Sequence, residues 1–237
     1  VQGIYKNIWI EQFRKMSKLA YTEGSLVTSL FEHARKLQIE LNCPEEKTMV
    51  TPNGIRVQNL QNLSEKTKED EGFINIGAVL RVTPIKDVKT MIQAFGFAKK
   101  REPHLKLWIM GPCDEDEQYA EESMQLKDIV FTGRINVRDY LGRMDMTILT
   151  SISEGQPLTI LEGFAAHKPA IATDVGNCRG LLYGESDDYG AAGIVTHIMN
   201  VEEIAQAMVD LAQKKEMRLQ MGENGYRRVM AKYRIEY

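Results

Sequence analysis

Two glutamates eight positions apart, Glu154 and Glu162, stand in the stretch SISEGQPLTILEGFAAHKP (151–169), and the second lies in a strongly apolar run. Leu158, Ile160, Leu161, Phe164, Ala165 and Ala166 surround Glu162, and a carboxylate is rarely buried without a partner. Pro157 suits the first position of a helix, where its missing N–H costs nothing. A helix starting there leaves the N–H groups of Leu158, Thr159 and Ile160 without helical acceptors, an anion site aided by the helix dipole. With a phosphate held at that point, Glu162 could accept both ribose hydroxyls of a nucleotide sugar. Glu154, in the preceding loop, could hold a sugar hydroxyl. A capped helix with Glu162 paired to an arginine or lysine fits the spacing equally well. A diphosphate also calls for cations, and GAVLRVTPIKDVKT (77–90) supplies Arg81 and Lys86. Arginine offers a fork to phosphate oxygens and lysine a point charge. Alone, such a pair is ordinarily solvated surface; two loops converging on one edge give it weight.

That convergence requires a particular arrangement of elements. Short apolar runs, FINIGAVL (73–80), LKLWIMG (105–111), DIVFTG (128–133), MTILTS (146–151), PAIATD (169–174) and AGIVTH (192–197), alternate with segments of helical period. In DVKTMIQAFGFAKKR (87–101), Val88, Met91, Ile92, Phe95 and Ala98 share one face. Strands apolar throughout and separated by helices predict an α/β fold, a doubly wound, Rossmann-like parallel sheet, over residues 73–237. Ligands of such sheets bind at the carboxyl ends of the strands, where both loops above belong. Upstream, 4–20 reads as an amphipathic helix through Ile8, Trp9, Phe13, Met16 and Ala20. SLVTSL, a helix over 31–41 and KTMVTPNG then resemble the tail of another βαβ unit, giving a segment 1–57. The polar stretch 58–72 reads as a linker or surface loop. From Val201 two helices are expected, the second continuing past a glycine break.

Composition narrows the classes. The 237 residues carry a net charge of −3, so no electrostatic footprint for nucleic acid is present. Three cysteines without a close pair and four scattered histidines argue against a disulfide framework and a zinc site. No apolar run reaches the ~18 residues of a membrane span, and no secretory signal opens the chain. A cytoplasmic protein is the expectation. Neither GxxxxGK nor GxGxxG occurs, which leaves ATPase and dinucleotide-dependent readings unsupported. CDEDE (113–117) holds a D-x-D, Asp114 and Asp116, of the kind that binds Mn²⁺ or Mg²⁺ through the diphosphate of a sugar nucleotide. It reads here as a solvated loop.

The blocks GAVLRVTPIKD, IMGP, VFTGRI, SEGQPLTILEG and TDVGN together resemble the donor-binding, C-terminal half of retaining glycosyltransferases of family 4, which have the two-domain GT-B fold. SEGQPLTILE fits their E-x7-E motif, and TPNGI is similar to their segment that crosses between domains. RVTPIKDVKT, GPCDEDEQYAEE, LTSISEGQPL, TDVGNCR and GAAG are similar to the branch that works in Pel exopolysaccharide synthesis. The resemblance implies that Arg81 and Lys86 bind the diphosphate of a UDP-sugar, Glu162 the ribose, and Glu154, with Gly155 and Gln156, the donor hexose. It further implies that the N–H groups of Leu158 and Thr159 meet the distal phosphate. Main chain at Gly133, Arg134 and Ile135 would hold the uracil, and Gly111 would let the backbone approach the donor. The reaction would be hexose transfer with retention, from UDP-glucose to a growing exopolysaccharide, without cofactor or metal. Inner-membrane polysaccharide synthesis proteins would be partners, with the protein cytoplasmic or peripheral at that membrane. Three positions depart from the family pattern: His167 replaces a glycine, Gly180 a glutamate, and Arg56 an aspartate.

The chain opens VQGIYKN, without an initiator methionine. Segment 1–57 could hold only the last elements of an acceptor-binding domain, so this chain alone is expected to bind donor weakly and transfer sugar poorly. Two rivals remain. A UDP-sugar epimerase shares the fold and the ribose-binding glutamate. A non-catalytic nucleotide-sugar sensor or scaffold would use the helix over 4–20, with Lys6, Arg14, Lys15 and Lys18, as a surface for membranes.

Overall fold

The computed structural model describes residues 4–60, 63–113 and 126–235. The chain divides into two compact units, Val1–Asn53 and Gly54–Tyr237. In the smaller unit, helix α1 (Ile4–Glu23) precedes a βαβ turn in which strand β1 (Val27–Ser29) pairs in parallel with β2 (Thr48–Val50) across helix α2 (Glu32–Glu40). Arg35 fastens this turn, donating to the Thr48 hydroxyl at 2.9 Å and to Glu32 and Glu45 at 3.0 Å each. Phe13 and Met16, expected on an apolar face of α1, are exposed.

The larger unit is built on a six-stranded parallel sheet. Its strands are β3 (Ile74–Val79), β4 (Leu105–Met110), β5 (Ile129–Gly133), β6 (Met146–Leu149), β7 (Ala170–Thr173) and β8 (Gly193–Thr196). Their order is β5-β4-β3-β6-β7-β8, with every neighbouring pair parallel. Each lies within the run the sequence marks as apolar. The chain winds outward from β3 through β4 and β5, then returns to β6 on the other side of β3. The switch point therefore falls between β3 and β6.

Both faces are covered, as the apolar strands require. On one face, Ile76, Ala78, Leu107, Ile109 and Ile148 pack with Met91, Ile92 and Phe95 of helix α3 (Val88–Arg101). Met208 and Leu211 of a second helix, Val201–Gln213, join that core. On the other face, Leu149, Ala170 and Ala172 meet Leu161 and Phe164 of the helix Leu158–Ala165, with Leu181 of Cys178–Tyr183 and Val229 of Lys215–Lys232. In chain order the helices after α3 are α4 (Arg138–Leu141), α5 (Leu158–Ala165), α6 (Cys178–Tyr183), α7 (Val201–Gln213) and α8 (Lys215–Lys232).

Several local expectations change. The break between the last two helices falls at Lys214, not at a glycine, and Gly222 and Gly225 lie inside α8. They serve packing: a Cβ on Gly222 would collide with the His167 carbonyl, and one on Gly225 with the Phe164 ring. The described residues of stretch 58–72 are mostly exposed, as a surface loop would be, with one anchor, the buried Asp70 bonded to Arg143. Just ahead of it, Ile55 exchanges backbone bonds with Tyr233 and Ile235, which ties the start of this unit to its last helix.

Candidate nucleotide-sugar site

The two strands flanking the switch point supply the two loops singled out by their chemistry. After β3 the chain passes Arg81, forms a single 3-10 turn over Pro84–Lys86, and enters α3 at Asp87. Asp87 sits at φ 45° and caps the helix by accepting from the Thr90 N–H at 3.3 Å. After β6 the chain runs through Ser151 and Glu154 to Pro157, whose extended backbone (φ −71°, ψ 116°) makes it the residue before the helix. Helix α5 thus starts at Leu158, one position later than its proline suggests. Its first N–H groups, Leu158 and Thr159 among them, still lack helical acceptors and open at this edge.

The loops are joined to one another. The buried Thr150 hydroxyl donates to the carbonyls of Lys86 and Asp87, at 3.0 Å each, and the Ile152 N–H to the Ile85 carbonyl at 2.9 Å. Lys86 and Glu154 form an ion pair, Nζ to Oε1 at 2.6 Å, with both side chains largely shielded from water. The Ser151 hydroxyl donates to the same Oε1 at 2.6 Å. The turn TDVGN closes the far side: Gly176, at φ 53°, lies so near the Glu154 and Gly155 carbonyls that a Cβ would strike them. Asn177 N–H donates to the Gly155 carbonyl at 2.8 Å. Sequence reasoning missed Thr150 and Ser151, since a hydroxyl in an apolar strand end carries no signal of its partner.

Glu162 answers its opening question by contrast. It is half-buried one turn into α5, and among the described residues no side chain pairs with it. Burial alone pushes its carboxyl above the usual value of 4.5. The alternative of an arginine or lysine partner is therefore not what the structure holds. Gln156 is buried in the loop between the two glutamates, Gly155 is exposed, and Thr159 is partly so.

The remaining candidates line the same edge. Gly111 follows β4 with φ 149°, and a Cβ there would collide with the Leu80 carbonyl, so the loops after β3 and β4 touch only because this residue is glycine. Gly133 ends β5 at φ 64° with open space around it; Arg134 is exposed, and Ile135 packs beside Trp108 and Met110. Arg81 is exposed on the loop after β3.

The departures at His167 and Gly180 have local causes. His167 takes the left-handed conformation (φ 56°) that favours glycine. Stacking on Tyr226, 3.8 Å between ring centroids, and a 3.2 Å contact from Nδ1 to Glu223 offset it. At Gly180 a Cβ would meet the side-chain oxygen of Asn177 and the Glu185 carboxylate, so a longer side chain would have to displace both. Cys178, behind the site, is buried, and burial pushes its thiol up to about 12, which disfavours the nucleophilic thiolate. Among the described residues no cluster has the ligands for a metal ion, and Asp114 and Asp116 lie outside them. Nor is any described helix long and apolar enough to cross a membrane.

Comparison with known proteins matches this geometry to a family. The model of "Glycosyl transferases group 1" matches residues 72–214, and one described as "Domain of unknown function (DUF3492)" matches 1–46. An uncharacterized glycosyltransferase of Methanocaldococcus jannaschii is 26% identical over 90% of this chain and 56% of its own length. The alpha-monoglucosyldiacylglycerol synthase of Streptococcus pneumoniae is 28% identical over 67% of this chain and 40% of its own. The chain spans about half the length of the curated relatives it matches. Among solved structures, Anabaena HepE in complex with UDP superposes with a TM-score of 0.77 over 92% of this chain and 62% of that one, at 18% identity. The same protein with UDP-glucose gives 0.73 over 93% and 63%, again at 18% identity. The shared fold is that of GT-B glycosyltransferases.

Proposed function

The chain belongs to the glycosyl transferases group 1, and on that premise we propose that its larger unit binds a UDP-sugar at the switch point between β3 and β6. The observation that carries this reading is Glu162. It is a half-buried carboxylate one turn into a helix whose first N–H groups are open, its pKa is raised by burial, and no described side chain bonds it. Such a group is costly in the unliganded protein and becomes favourable when a vicinal diol donates to it. Ribose provides that diol.

The other groups follow from the position of the ribose. Arg81, Lys86 and the N–H groups of Leu158 and Thr159 surround the diphosphate, with Glu154, Gly155 and Gln156 toward the hexose. Gly133, Arg134 and Ile135 hold the uracil by main chain and an apolar edge, and Gly111 permits close approach. Transfer breaks the bond between the anomeric carbon and the distal phosphate oxygen. Arg81, Lys86 and the helix start stabilise the charge that develops there, which lowers the barrier because they are already oriented. In the retaining mechanism of family 4, the departing diphosphate takes the proton of the acceptor hydroxyl on the same face. No metal is required, since cations and N–H groups already meet the phosphate charge.

The finer reading is UDP-glucose as donor and a growing exopolysaccharide as acceptor, in the manner of PelF, with partners at the inner membrane. The sequence blocks support it, and so does the UDP-glucose complex of the HepE neighbour. The 237-residue chain alone is expected to transfer sugar slowly, because the relatives use about twice its length. Calorimetric titration of UDP, with and without EDTA, tests the site. UDP should bind, Glu162→Ala and Arg81→Ala should weaken it, and EDTA should change nothing. Failure of UDP to bind, or binding indifferent to both substitutions, would remove the proposal.

A further inference from the structure

Glu154 is held by more than its ion pair, and the second contact has a consequence for the donor. Ser151 is fully buried. Its carbonyl accepts from the equally buried Thr173 hydroxyl at 2.6 Å, which pins the end of β6 to the end of β7. Its own hydroxyl then donates to Glu154 Oε1 at 2.6 Å, the oxygen that Lys86 also reaches. Among the described residues none donates to Oε2.

We propose that Ser151 is a positioning residue that keeps Oε1 of Glu154 occupied and presents Oε2 to a hydroxyl of the donor hexose. The inference rests on the UDP-sugar reading above. Lys86 cannot do this work alone. Its ammonium sits on a flexible stem, and a diphosphate beside it competes for its N–H groups. The serine has no such freedom, because a short side chain on a pinned backbone keeps its direction when Lys86 turns to phosphate. A carboxylate with one oxygen anchored offers the other in a fixed orientation, and so can discriminate among hexose hydroxyls by their placement. Left with Lys86 only, the carboxylate would follow the lysine or rotate.

The test compares UDP with UDP-glucose by calorimetry on the 237-residue chain. The set is the wild type, Ser151→Ala, Ser151→Cys, Glu154→Ala and the double variant Ser151→Ala with Glu154→Ala. Cysteine keeps a group at the hydroxyl position, slightly larger and a much weaker donor, so it reports through a different packing change from alanine. Both serine variants should keep UDP affinity within about twofold and lose about tenfold for UDP-glucose. The double variant should bind UDP-glucose no more weakly than Glu154→Ala, because the serine acts only through the glutamate. Equal losses for both ligands, unchanged UDP-glucose binding, or additive losses in the double variant would overturn the role of Ser151 and leave the donor site standing. Absence of UDP binding in the wild type would overturn both.

Discussion

Asp70 and Glu162 are carboxylates at opposite edges of one sheet, and burial treats them in opposite ways. Asp70 lies at the amino edge, before β3. Burial opposes its charge, yet Arg143 donates through Nε at 2.8 Å and through a terminal nitrogen at 3.1 Å. Thr67 adds two bonds of 2.9 Å and Asn75 one of 3.0 Å. These donors outweigh desolvation and hold the carboxyl well below the usual range. The network closes on itself: Asn75 accepts from the Trp108 indole at 3.1 Å, and the Arg143 guanidinium lies 4.7 Å from that ring. Glu162, at the carboxyl edge, has burial without side-chain donors among the described residues, and its carboxyl is pushed up. Burial alone marks neither kind of residue. Burial with the donors missing is what supports the proposed ligand-binding role of Glu162.

The largest expected effect is at Asp70. Asp70→Ala leaves Arg143 as an uncompensated buried charge and should cost ~3–5 kcal/mol of stability by denaturant unfolding, while UDP affinity of the folded protein stays the same. A small loss would mean the amino-edge network is not what holds that edge. Acid should expose the same network. Because the folded pKa of Asp70 is depressed, its contribution is complete above the unfolded carboxylate value and is lost as pH falls below it. Next comes Glu162→Ala, which on the proposed reading removes two charge-assisted bonds to ribose and should weaken UDP by about 30-fold or more. Its stability should change far less than that of Asp70→Ala, and the reverse order would dissolve the contrast between the two residues.

The part of this contrast that depends on periodicity was legible in the sequence. The six apolar runs and the face of α3 are local patterns, and in a parallel sheet they force the loops bearing Arg81, Lys86, Glu154 and Glu162 onto one edge. What the sequence does not carry is pairing across distance. Lys86 and Glu154 are 68 positions apart, and nothing in either loop announces that they share an oxygen with Ser151. Asp70 hid for the same reason, since a polar stretch looks alike whether its carboxylate is solvated or saturated by Arg143, 73 positions on. Gly222 and Gly225 misled because propensity treats glycine as a helix breaker, whereas here the absent side chains admit the His167 carbonyl and the Phe164 ring.

The smaller effects sharpen the role of Glu162. At neutral pH its unpaired charge costs stability in the ligand-free protein, so Glu162→Gln should raise Tm, by about 2–4 °C for ~1 kcal/mol in a chain of this size. The same substitution should weaken UDP, a trade expected of a binding group and not of a structural one. The gain must also depend on pH. A carboxyl whose folded pKa is raised is at no disadvantage below the unfolded value, and its cost appears as pH rises through the folded one. Wild type and Glu162→Gln should therefore converge in acid and separate toward neutral pH. Binding runs the other way, because the ribose hydroxyls need an acceptor. UDP-glucose, whose diphosphate diester keeps its charge across this range, should bind more weakly as pH falls from neutral to 4.5. The loss should begin above the ordinary 4.5 of a glutamate, with a slope of at most about tenfold per pH unit. In Glu162→Gln that dependence should vanish; a wild-type affinity flat over the same range would show that this carboxylate does not meet the donor.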